Sequence, residues 1–358
     1  PPGSPRAIAG DAPTLYAAHP DDDADTLPRG AGPSMGPPTR IGRYHVTSRL
    51  GEGGMGVVYA AHDPQLDRRV AVKLVRPVAG EASAGGEAQA RLLREAQALA
   101  RLRHPNIVQV YEAGAYGDQV FVAMEFVDGV TLRTWQFEHA RGWREVLRVY
   151  KAAGLGLAAA HRAGIIHRDF KPDNVLVTTA GEPRVLDFGL ASRQGHAPAL
   201  RQPAGASSAL DAHVTLTGAL VGTPAYMAPE QLRGDPAGPR SDVFAFCVAL
   251  YEALYGVRPF AGASLVEIAA NVFTHSLTPP STFVKVPAWL RRAVVRGLRV
   301  DPEVRYRDMG ELLAALDRDP ARLVGWAAAI AAAIIVVGLF ARALRSAEGE
   351  QVQVDLGA

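Results

Sequence analysis

The spacing of apolar residues changes along this chain and divides it into regions of different character. In the first 40 residues the apolar positions show no period, and prolines and glycines make up 14 of the 40. A segment of this composition buries too little apolar surface to offset the conformational entropy lost on ordering. Segment 1–40 is therefore predicted to be disordered.

Short segments rich in β-branched and aromatic residues begin at about Tyr44. Strands are predicted at Tyr44–Leu50, Val57–Ala61, Val70–Val75, Val108–Tyr111 and Val120–Phe126. Apolar residues spaced three and four apart predict one helix among them, with Leu92, Leu93, Ala96, Leu99, Ala100 and Leu102 on its apolar face. After Gly129 the pattern is mainly helical to about Leu316.

These patterns predict an α+β fold with two lobes and a cleft between them. The domain is expected to cover residues 44–316, with a β-rich N-lobe (44–127) that carries one helix and an α-helical C-lobe (128–316).

A long apolar segment follows the predicted domain. Leu323–Ala341 contains 19 residues without a charge, and nine of them are Leu, Ile, Val or Phe. As a helix it would extend roughly 28 Å, close to the ~30 Å hydrocarbon core of a bilayer. We expect a single transmembrane helix here, preceded by a juxtamembrane segment (317–322) and followed by a short tail (342–358). The alternative is a buried helix that packs back on the preceding domain.

The charges on the two sides of this segment predict its orientation. Arginines at 305, 307, 318 and 322 precede it, whereas Arg342 and Arg345 follow it before acidic residues appear. Because basic residues favour the cytoplasmic side, the large domain is expected in the cytoplasm and the tail outside.

Composition excludes several other classes of function. The net charge is +2, and no block of lysine and arginine dominates one stretch, so no nucleic-acid partner is expected. The single cysteine, Cys247, excludes an intrachain disulfide and a cysteine-rich zinc site, and we expect it to be a buried hydrophobic residue. The ten histidines show no ligand spacing, so no structural metal is predicted.

A glycine-rich turn lies between the first two predicted strands. The segment Gly51–Val58 has the form G-x-G-x-x-G-x-V. A dinucleotide-binding turn has the same glycines but opens a helix, whereas the residues after Gly56 continue here as a strand. A strand–turn–strand can lie over phosphates as a flap, because glycine lets backbone N–H groups approach the phosphate oxygens.

A charged residue interrupts the apolar strand that follows. Lys73 ends the run Val-Ala-Val-Lys, and a half-buried lysine needs a partner to offset its desolvation. Glu95, on the predicted helix, is the natural candidate, and the pair would hold the ammonium against the α- and β-phosphates of a nucleotide. The alternative is that Glu95 makes an ordinary surface ion pair.

Two polar motifs follow in the predicted C-lobe. His167–Asn174 reads His-Arg-Asp-Phe-Lys-Pro-Asp-Asn, and Asp187-Phe188-Gly189 begins thirteen residues after Asn174. Together with the glycine turn and Lys73, these motifs resemble those of the eukaryotic-type protein kinases, in their bacterial serine/threonine branch. The resemblance runs from about Tyr44 to Leu316, roughly three quarters of the chain.

The resemblance implies the roles of the polar residues. Asp169 would be the catalytic base that accepts the proton of a substrate hydroxyl, and Lys171 would neutralise charge on the transferring phosphate. Asn174 and Asp187 supply hard oxygen ligands suited to Mg²⁺, with Mn²⁺ as an alternative. Lys73 and Glu95 complete the catalytic set.

The resemblance also implies an ATP site in the cleft. Met124 would stand at the entrance to a pocket behind the adenine, and backbone groups of Glu125-Phe126-Val127 would bind the adenine ring. Ala71 and Leu176 would enclose it from two sides. The full set is Leu50, Gly51, Gly53, Gly56, Val58, Ala71, Lys73, Met124, Glu125, Val127 and Leu176.

Three further matches concern the frame of the site. Gly222–Glu230 resembles the end of the family's activation segment, where peptide substrates dock. Glu230 would pair with Arg305, and Asp242 would brace the catalytic loop from a central helix. Phe170 stands where leucine is commoner in the family, and it is expected to remain an apolar contact.

The segment from Asp187 to Glu230 is 44 residues long, with an insertion rich in Pro, Gly, Ala and Ser. Thr215 and Thr217 lie where family members carry activating phosphothreonines, so autophosphorylation there is expected, with Arg168 pairing with the phosphate. Thr223 is expected to contact Asp169 and Lys171 instead.

The sequence therefore predicts a serine/threonine protein kinase anchored as a single-pass protein in a bacterial inner membrane. It would use ATP and act on protein serines and threonines, with homodimerisation through the membrane helix as one route for an input signal. One rival is a pseudokinase scaffold, but Lys73, Asp169, Asn174 and Asp187 are all present. Another is a small-molecule kinase of the same fold, which the match at Gly222–Glu230 disfavours.

Overall fold

The computed structural model describes residues 38–53, 56–75, 85–188, 224–280, 285–318 and 334–338. It has the two predicted lobes, a β-rich N-lobe that carries one helix and a helical C-lobe. The elements of the N-lobe are β1 (Arg40–Ile41), β2 (Tyr44–Gly53), β3 (Gly56–Asp63), β4 (Arg68–Val75), α1 (Gly85–Ala100), β5 (Val110–Tyr116) and β6 (Gln119–Glu125).

These strands form one antiparallel sheet in the order β1-β2-β3-β4-β6-β5. Its central strand, β4, is buried on both faces. Ala71 and Val75 pack in the main hydrophobic core with Leu92 and Leu99 of α1. Val70 and Val72 face the opposite side, in a second, smaller core. The apolar face predicted for the helix is therefore the one that α1 presents to the sheet.

The outer face of the sheet is covered by the start of the domain. Ile41 and Tyr44 are fully buried there beside Phe121. Gly42 has a φ of +55°, and a Cβ at this position would lie 3.3 Å from the Phe121 ring. The Tyr44 hydroxyl donates to Glu112 at 2.6 Å, so a polar contact holds this first segment in place.

The C-lobe is built around one buried helix. Its elements are β7 (Gly129–Thr131), α2 (Leu132–Glu138), α3 (Trp143–Arg162), β8 (Val175–Thr178), β9 (Pro183–Val185), α4 (Pro229–Arg233), α5 (Pro239–Tyr255), α6 (Leu265–Phe273), α7 (Ala288–Gly297) and α8 (Met309–Leu316). Short 3-10 turns lie at Pro172–Asn174, Pro224–Tyr226 and Pro302–Val304. Helix α5 is buried along nearly its whole length, which explains why its sequence is apolar on all sides. Cys247 on this helix is buried, as predicted.

A small sheet in the C-lobe departs from the sequence prediction. Strands β7, β8 and β9 pair antiparallel beneath the cleft, in a region predicted to be mainly helical. They contain only three or four residues each, too few to show the alternation by which strands are recognised. Val185 also joins the N-lobe side, because its carbonyl accepts from the backbone N–H of Val108 at 2.9 Å.

Helix α8 ends at Leu316, and the predicted end of the domain there stays a prediction. The predicted disordered segment 1–40 lies outside the described residues up to position 37. The predicted membrane segment 323–341 also lies outside them, apart from 334–338, which are helical. In the part of the chain that the structure describes, every helix is too short or too polar to cross a bilayer.

Candidate active site

The glycine-rich segment joins two paired strands, as its sequence predicts. Strands β2 and β3 pair antiparallel up to Gly53 and Gly56, and residues 54–55 lie outside the described part. Gly56 has a φ of +143°, and a Cβ there would lie 1.8 Å from the Leu74 carbonyl oxygen, so only glycine fits. Gly53 is exposed and has open space where a Cβ would stand. Gly51 is half-buried, and these glycines leave room for phosphates to approach the backbone.

The predicted adenine-binding residues include apolar side chains from both lobes. Five of them are buried in the main hydrophobic core: Leu50, Ala71, Met124, Val127 and Leu176. Ala71 on β4 lies directly opposite Met124 on β6, whereas Leu176 comes from β8 in the C-lobe. Val58 and Glu125 are half-buried. Binding of adenine by this set stays a prediction.

An ion pair crosses the cleft between the lobes. The Lys73 ammonium donates to Asp187 Oδ1 at 2.7 Å, with the two side chains 8% and 24% exposed. Burial alone would raise the pKa of Asp187, but the charge and hydrogen bond of Lys73 outweigh it and hold the pKa below its usual value. Asp187 also has a φ of +60°, a conformation that costs energy for a residue other than glycine.

The catalytic loop gathers its polar groups around Asp169. Asp169 Oδ2 accepts from the Lys171 ammonium at 3.1 Å and from the Asn174 side-chain amide at 3.1 Å. The same amide donates to the Asp169 carbonyl oxygen at 2.8 Å. The Asp169 side chain remains 12% exposed. Its carboxylate is thus held in place by two donors while part of its surface stays open.

Asp242 braces the catalytic loop from helix α5, as predicted. Its carboxylate accepts the backbone N–H groups of His167 and Arg168, both at 2.8 Å. His161 on α3 approaches the same carboxylate at 2.8 Å. Arg168 has a φ of +68°, and its carbonyl oxygen accepts from Gln231 at 2.8 Å. A buried acid therefore fixes the loop in a strained conformation just before Asp169.

Aromatic rings connect this loop to the core. Phe170 is fully buried, with its ring centroid 5.5 Å from Phe246 and 5.7 Å from His167. His167 in turn lies 4.8 Å from Phe188, which follows Asp187. His167 is buried and lies within 2.9 Å of the Leu186 carbonyl oxygen. Phe170 is therefore the apolar contact that was expected, and His167 is packed as a buried structural residue.

The predicted pair between Glu230 and Arg305 is present and buried. Two guanidinium nitrogens donate to the two carboxylate oxygens, each at 2.9 Å. Ser241 donates to Glu230 as well, at 2.7 Å. Arg305 gives its remaining N–H groups to backbone carbonyls of Arg299, Val300 and Arg240. Burial would raise the pKa of Glu230, but the hydrogen bonds and charge of Arg305 lower it.

A second polar network was missed by the sequence analysis. Arg133 on α2 donates to both oxygens of Asp173, at 2.7 and 2.9 Å, and to the Tyr226 hydroxyl at 2.8 Å. Tyr226 donates to Glu252, which also accepts from Arg258 at 3.0 Å. Burial and the nearby Glu252 raise the pKa of Tyr226 above its usual value. Asp173 belongs to the catalytic loop, but nothing in the sequence connects it with an arginine 40 residues earlier.

Some predicted residues have no established place in the site. Glu95 and Arg168 line a cavity beside Phe188 and the end of α1, and pairing of Glu95 with Lys73 stays a prediction. Thr215, Thr217 and Thr223 lie outside the described residues. Their predicted roles are therefore untested by the geometry.

The donor set fits a magnesium ion that is bound together with a nucleotide. The Asn174 amide nitrogen is used by Asp169, which leaves its oxygen as the ligating atom, and Asp187 offers a carboxylate. Among the described residues, no group of three or more His, Cys, Asp and Glu side chains could hold a metal ion. Since Mg²⁺ takes six oxygen ligands, phosphate oxygens and water would have to complete the shell.

Comparison with known proteins agrees with this geometry. Residues 44–306 match the family of the protein kinase domain. The chain is 37% identical over 284 residues to the serine/threonine-protein kinase PknB of Mycobacterium tuberculosis, covering 77% of this chain and 42% of that protein. It is 36% identical over 276 residues to the probable serine/threonine-protein kinase PknB of Lactococcus lactis, covering 76% and 41%. The chain thus spans less than half the length of these curated relatives.

A solved structure shares the fold. The crystal structure of the Mycobacterium tuberculosis PknI kinase domain superposes with a TM-score of 0.57 at 26% sequence identity. The match covers 78% of this chain and 96% of that domain. A domain of this kind was therefore crystallised without further segments.

Proposed function

This chain belongs to the protein kinase family, in its serine/threonine class, and we propose that it transfers the γ-phosphate of ATP to serine and threonine hydroxyls of proteins. The observation that carries the proposal is the cluster around Asp169, with Lys171 and Asn174 both 3.1 Å from one of its oxygens. Asp187, whose lowered pKa keeps its carboxylate ionised at neutral pH, lies two residues after strand β9. Asp169, Asn174 and Asp187 are the residues that the family motifs have at these positions.

Each residue has a task that its contacts support. Asp169 orients the substrate hydroxyl and accepts its proton, because two donors fix one oxygen and the side chain stays partly open. Lys171 places positive charge beside the transferring phosphate, and Lys73 binds the phosphates nearer the ribose. Asn174 and Asp187 would hold Mg²⁺ (or Mn²⁺), which when bound neutralises charge on the phosphates. Catalysis then rests on positioning and electrostatics.

Regulation by autophosphorylation is part of the proposal. Thr215 and Thr217 lie between Asp187 and Glu230, and a phosphate there would place about two negative charges within reach of a basic residue. Arg168 is the candidate, since its backbone is already fixed by Asp242 and Gln231. Intact-mass analysis of ATP-treated protein should show added phosphate that is absent after Thr215→Ala and Thr217→Ala together. Phosphate added equally to that double variant would contradict the assignment.

We also propose that the chain is anchored in the bacterial inner membrane by Leu323–Ala341, with the kinase domain in the cytoplasm. Four consecutive apolar side chains in the described helical stretch, Ile334 to Val337, are 61–67% exposed. This exposure supports a bilayer environment over packing against the kinase domain. The full chain should resist extraction from membranes by alkaline carbonate, and it should be released when segment 323–341 is deleted. Release of the full chain by carbonate would contradict the anchor, and with it a homodimer formed through that helix.

The decisive experiment for the reaction is phosphate transfer from labelled ATP by the full chain in detergent, with magnesium supplied and then chelated. A serine- and threonine-containing protein acceptor should be labelled by the wild type, and Asp169→Asn should lose this activity. Transfer only to a small molecule would favour the small-molecule kinase. Nucleotide binding without any transfer would favour the pseudokinase scaffold.

A further inference from the structure

The solvent-facing side of helix α3 carries a continuous row of positive charge. At about 100° per residue, positions 144, 148, 151, 155 and 162 fall within an arc of about 60° around the helix axis. They are occupied by Arg144, Arg148, Lys151, Leu155 and Arg162, and we call this set the α3 basic row. It extends about 27 Å along the helix, at ~1.5 Å per residue.

The side chains of the α3 basic row face outward. Arg144, Arg148, Leu155 and Arg162 are all exposed, and Leu155 is 50% exposed although it is a large apolar residue. Arg144 and Arg148 form no ion pair with any residue that the structure describes: Arg144 lies over the Trp143 ring, 4.3 Å from its centroid, and Arg148 donates to a backbone carbonyl at 3.4 Å.

Acidic residues are scarce along this helix. The one acid within α3 is Glu145, which points about 100° away from Arg144 and pairs with Arg141 at 2.6 Å. Among the described residues, the acid that pairs with the row is Asp317, through Lys151. Four cations around one exposed leucine, on one side of an otherwise buried helix, is the pattern of a surface that meets an anionic bilayer.

The position of Asp317 brings this row close to the end of the described kinase domain, from which the predicted anchor follows in sequence. Helix α8 crosses α3 so closely that a Cβ on Gly154 would lie 2.9 Å from a methyl group of Leu313. The chain leaves α8 at Asp317, which is held by Lys151 in the middle of the row. Leu323 follows six residues later, a reach of at most about 21 Å. A membrane that holds segment 323–341 is therefore within reach of the row.

We propose that the α3 basic row docks the kinase domain on the anionic surface of the membrane. This docking extends the proposed membrane anchoring, and the orientation of the domain rests on that anchor. Binding of the α3 basic row to lipid can be tested without the anchor. Arginine and leucine together suit the headgroup region, where cations meet lipid phosphates and one apolar side chain enters the interface. The active-site cleft would then be held at a defined height above the bilayer.

The test uses residues 38–320, which contain both hydrophobic cores and correspond to the unit that crystallises alone in the related PknI kinase domain. Cosedimentation is measured with vesicles of phosphatidylglycerol and phosphatidylcholine in equal parts, and with pure phosphatidylcholine. We expect binding to the anionic vesicles only, weakened by added salt. Each basic residue near such a surface raises the partition coefficient onto the vesicle roughly fivefold. The partition coefficient should therefore fall by roughly 100-fold or more in the triple variant Arg144→Glu, Arg148→Glu and Arg162→Glu.

A matched control reverses three exposed arginines elsewhere, Arg291→Glu, Arg292→Glu and Arg299→Glu. It changes net charge by the same amount and should bind nearly as well as the unaltered protein. The thermal midpoint and phosphate transfer of both triple variants should match those of the parent, which excludes misfolding as the cause.

Three results would overturn the proposal: equal binding to both vesicle types, no binding to either, or an equal loss in the control variant. Displacement from the vesicles by a peptide of residues 342–358, which carries Glu348, Glu350 and Asp355, would assign the row to the acidic tail instead. Carbonate extraction of the full chain reports on the anchor separately, so failure of the docking surface and failure of the anchor are distinguished.

Discussion

Two ion pairs join distant segments of this kinase domain, and the protein satisfies them to different degrees. Arg305 and Glu230 are 0% and 10% exposed, and Ser241 and backbone carbonyls take up their remaining hydrogen-bonding groups. Lys73 and Asp187 share a single hydrogen bond, and Asp187 stays 24% exposed. The first pair has all its partners within the protein, whereas Asp187 Oδ2 accepts no hydrogen bond from the residues that the structure describes and could meet a ligand. The comparison separates a group that holds the fold from one that is placed to bind.

The largest effect of a substitution is expected on the rate of phosphate transfer, at the partly exposed Asp169. Asp169→Asn removes the proton acceptor but keeps a side chain that can hydrogen-bond, so the rate of phosphate transfer should fall by roughly 10²–10⁴-fold. The free energy of unfolding should change little. Single-turnover kinetics and urea denaturation measure the two quantities, and a rate near that of the wild type would remove Asp169 from its assigned role.

The buried pair should show the opposite result. Glu230→Gln keeps the size of the side chain but leaves the Arg305 charge uncompensated in the core, which should cost about 3–5 kcal/mol of unfolding free energy. Glu303→Gln is the matched control, because Glu303 pairs with Arg240 at 74% and 33% exposure. That change should cost less than about 1 kcal/mol. Equal losses by chemical denaturation would show that burial does not distinguish the pairs.

The same pair gives a pH dependence with a definite sign. The pKa of Glu230 in the folded protein lies below its ordinary value of 4.5. Its charged form therefore stabilises the fold at neutral pH, and this contribution is lost as the pH falls through the lowered pKa. The difference in unfolding free energy between wild type and Glu230→Gln should narrow as the pH falls below 4.5. A constant difference across that range would mean that the carboxylate charge is not the stabilising feature.

The smallest effect is expected at Phe170. Phe170→Leu removes ring contacts with Phe246 and His167 and should cost about 1 kcal/mol of unfolding free energy, with phosphate transfer within about twofold of the wild type. Asp242 holds the catalytic loop through the backbone amides of His167 and Arg168. The side chain of Phe170 should therefore affect the packing of the loop more than the position of Asp169. A loss of activity far beyond the loss of stability would show that the ring also positions Asp169.

The sequence predicted those parts of the fold whose cause is local. The glycine turn with a strand after it and the apolar face of α1 both follow from neighbouring residues. The small sheet under the cleft was missed, because strands as short as Pro183–Val185 carry no period and form only where partners meet them.

The contacts of the site were predictable where a sequence motif contains the residues involved. They were not predictable where a residue binds a partner that no motif links to it. Asp242 and Glu230 were assigned partners by resemblance, and those contacts are present. The contact of Lys73 with Asp187 was not foreseen, because 114 residues separate them and Glu95 was an equally good acid on paper. The network of Arg133 with Glu252 and Tyr226 likewise depends on α2 and α5 meeting in space.

The bond between Lys73 and Asp187 also has a mechanical consequence. Lys73 belongs to the N-lobe and Asp187 to the C-lobe, so their 2.7 Å contact links the two lobes across the cleft. Any motion that opens the cleft must break this bond or carry both residues together. Replacing either residue should therefore change how readily the lobes separate, as well as what the cleft can bind.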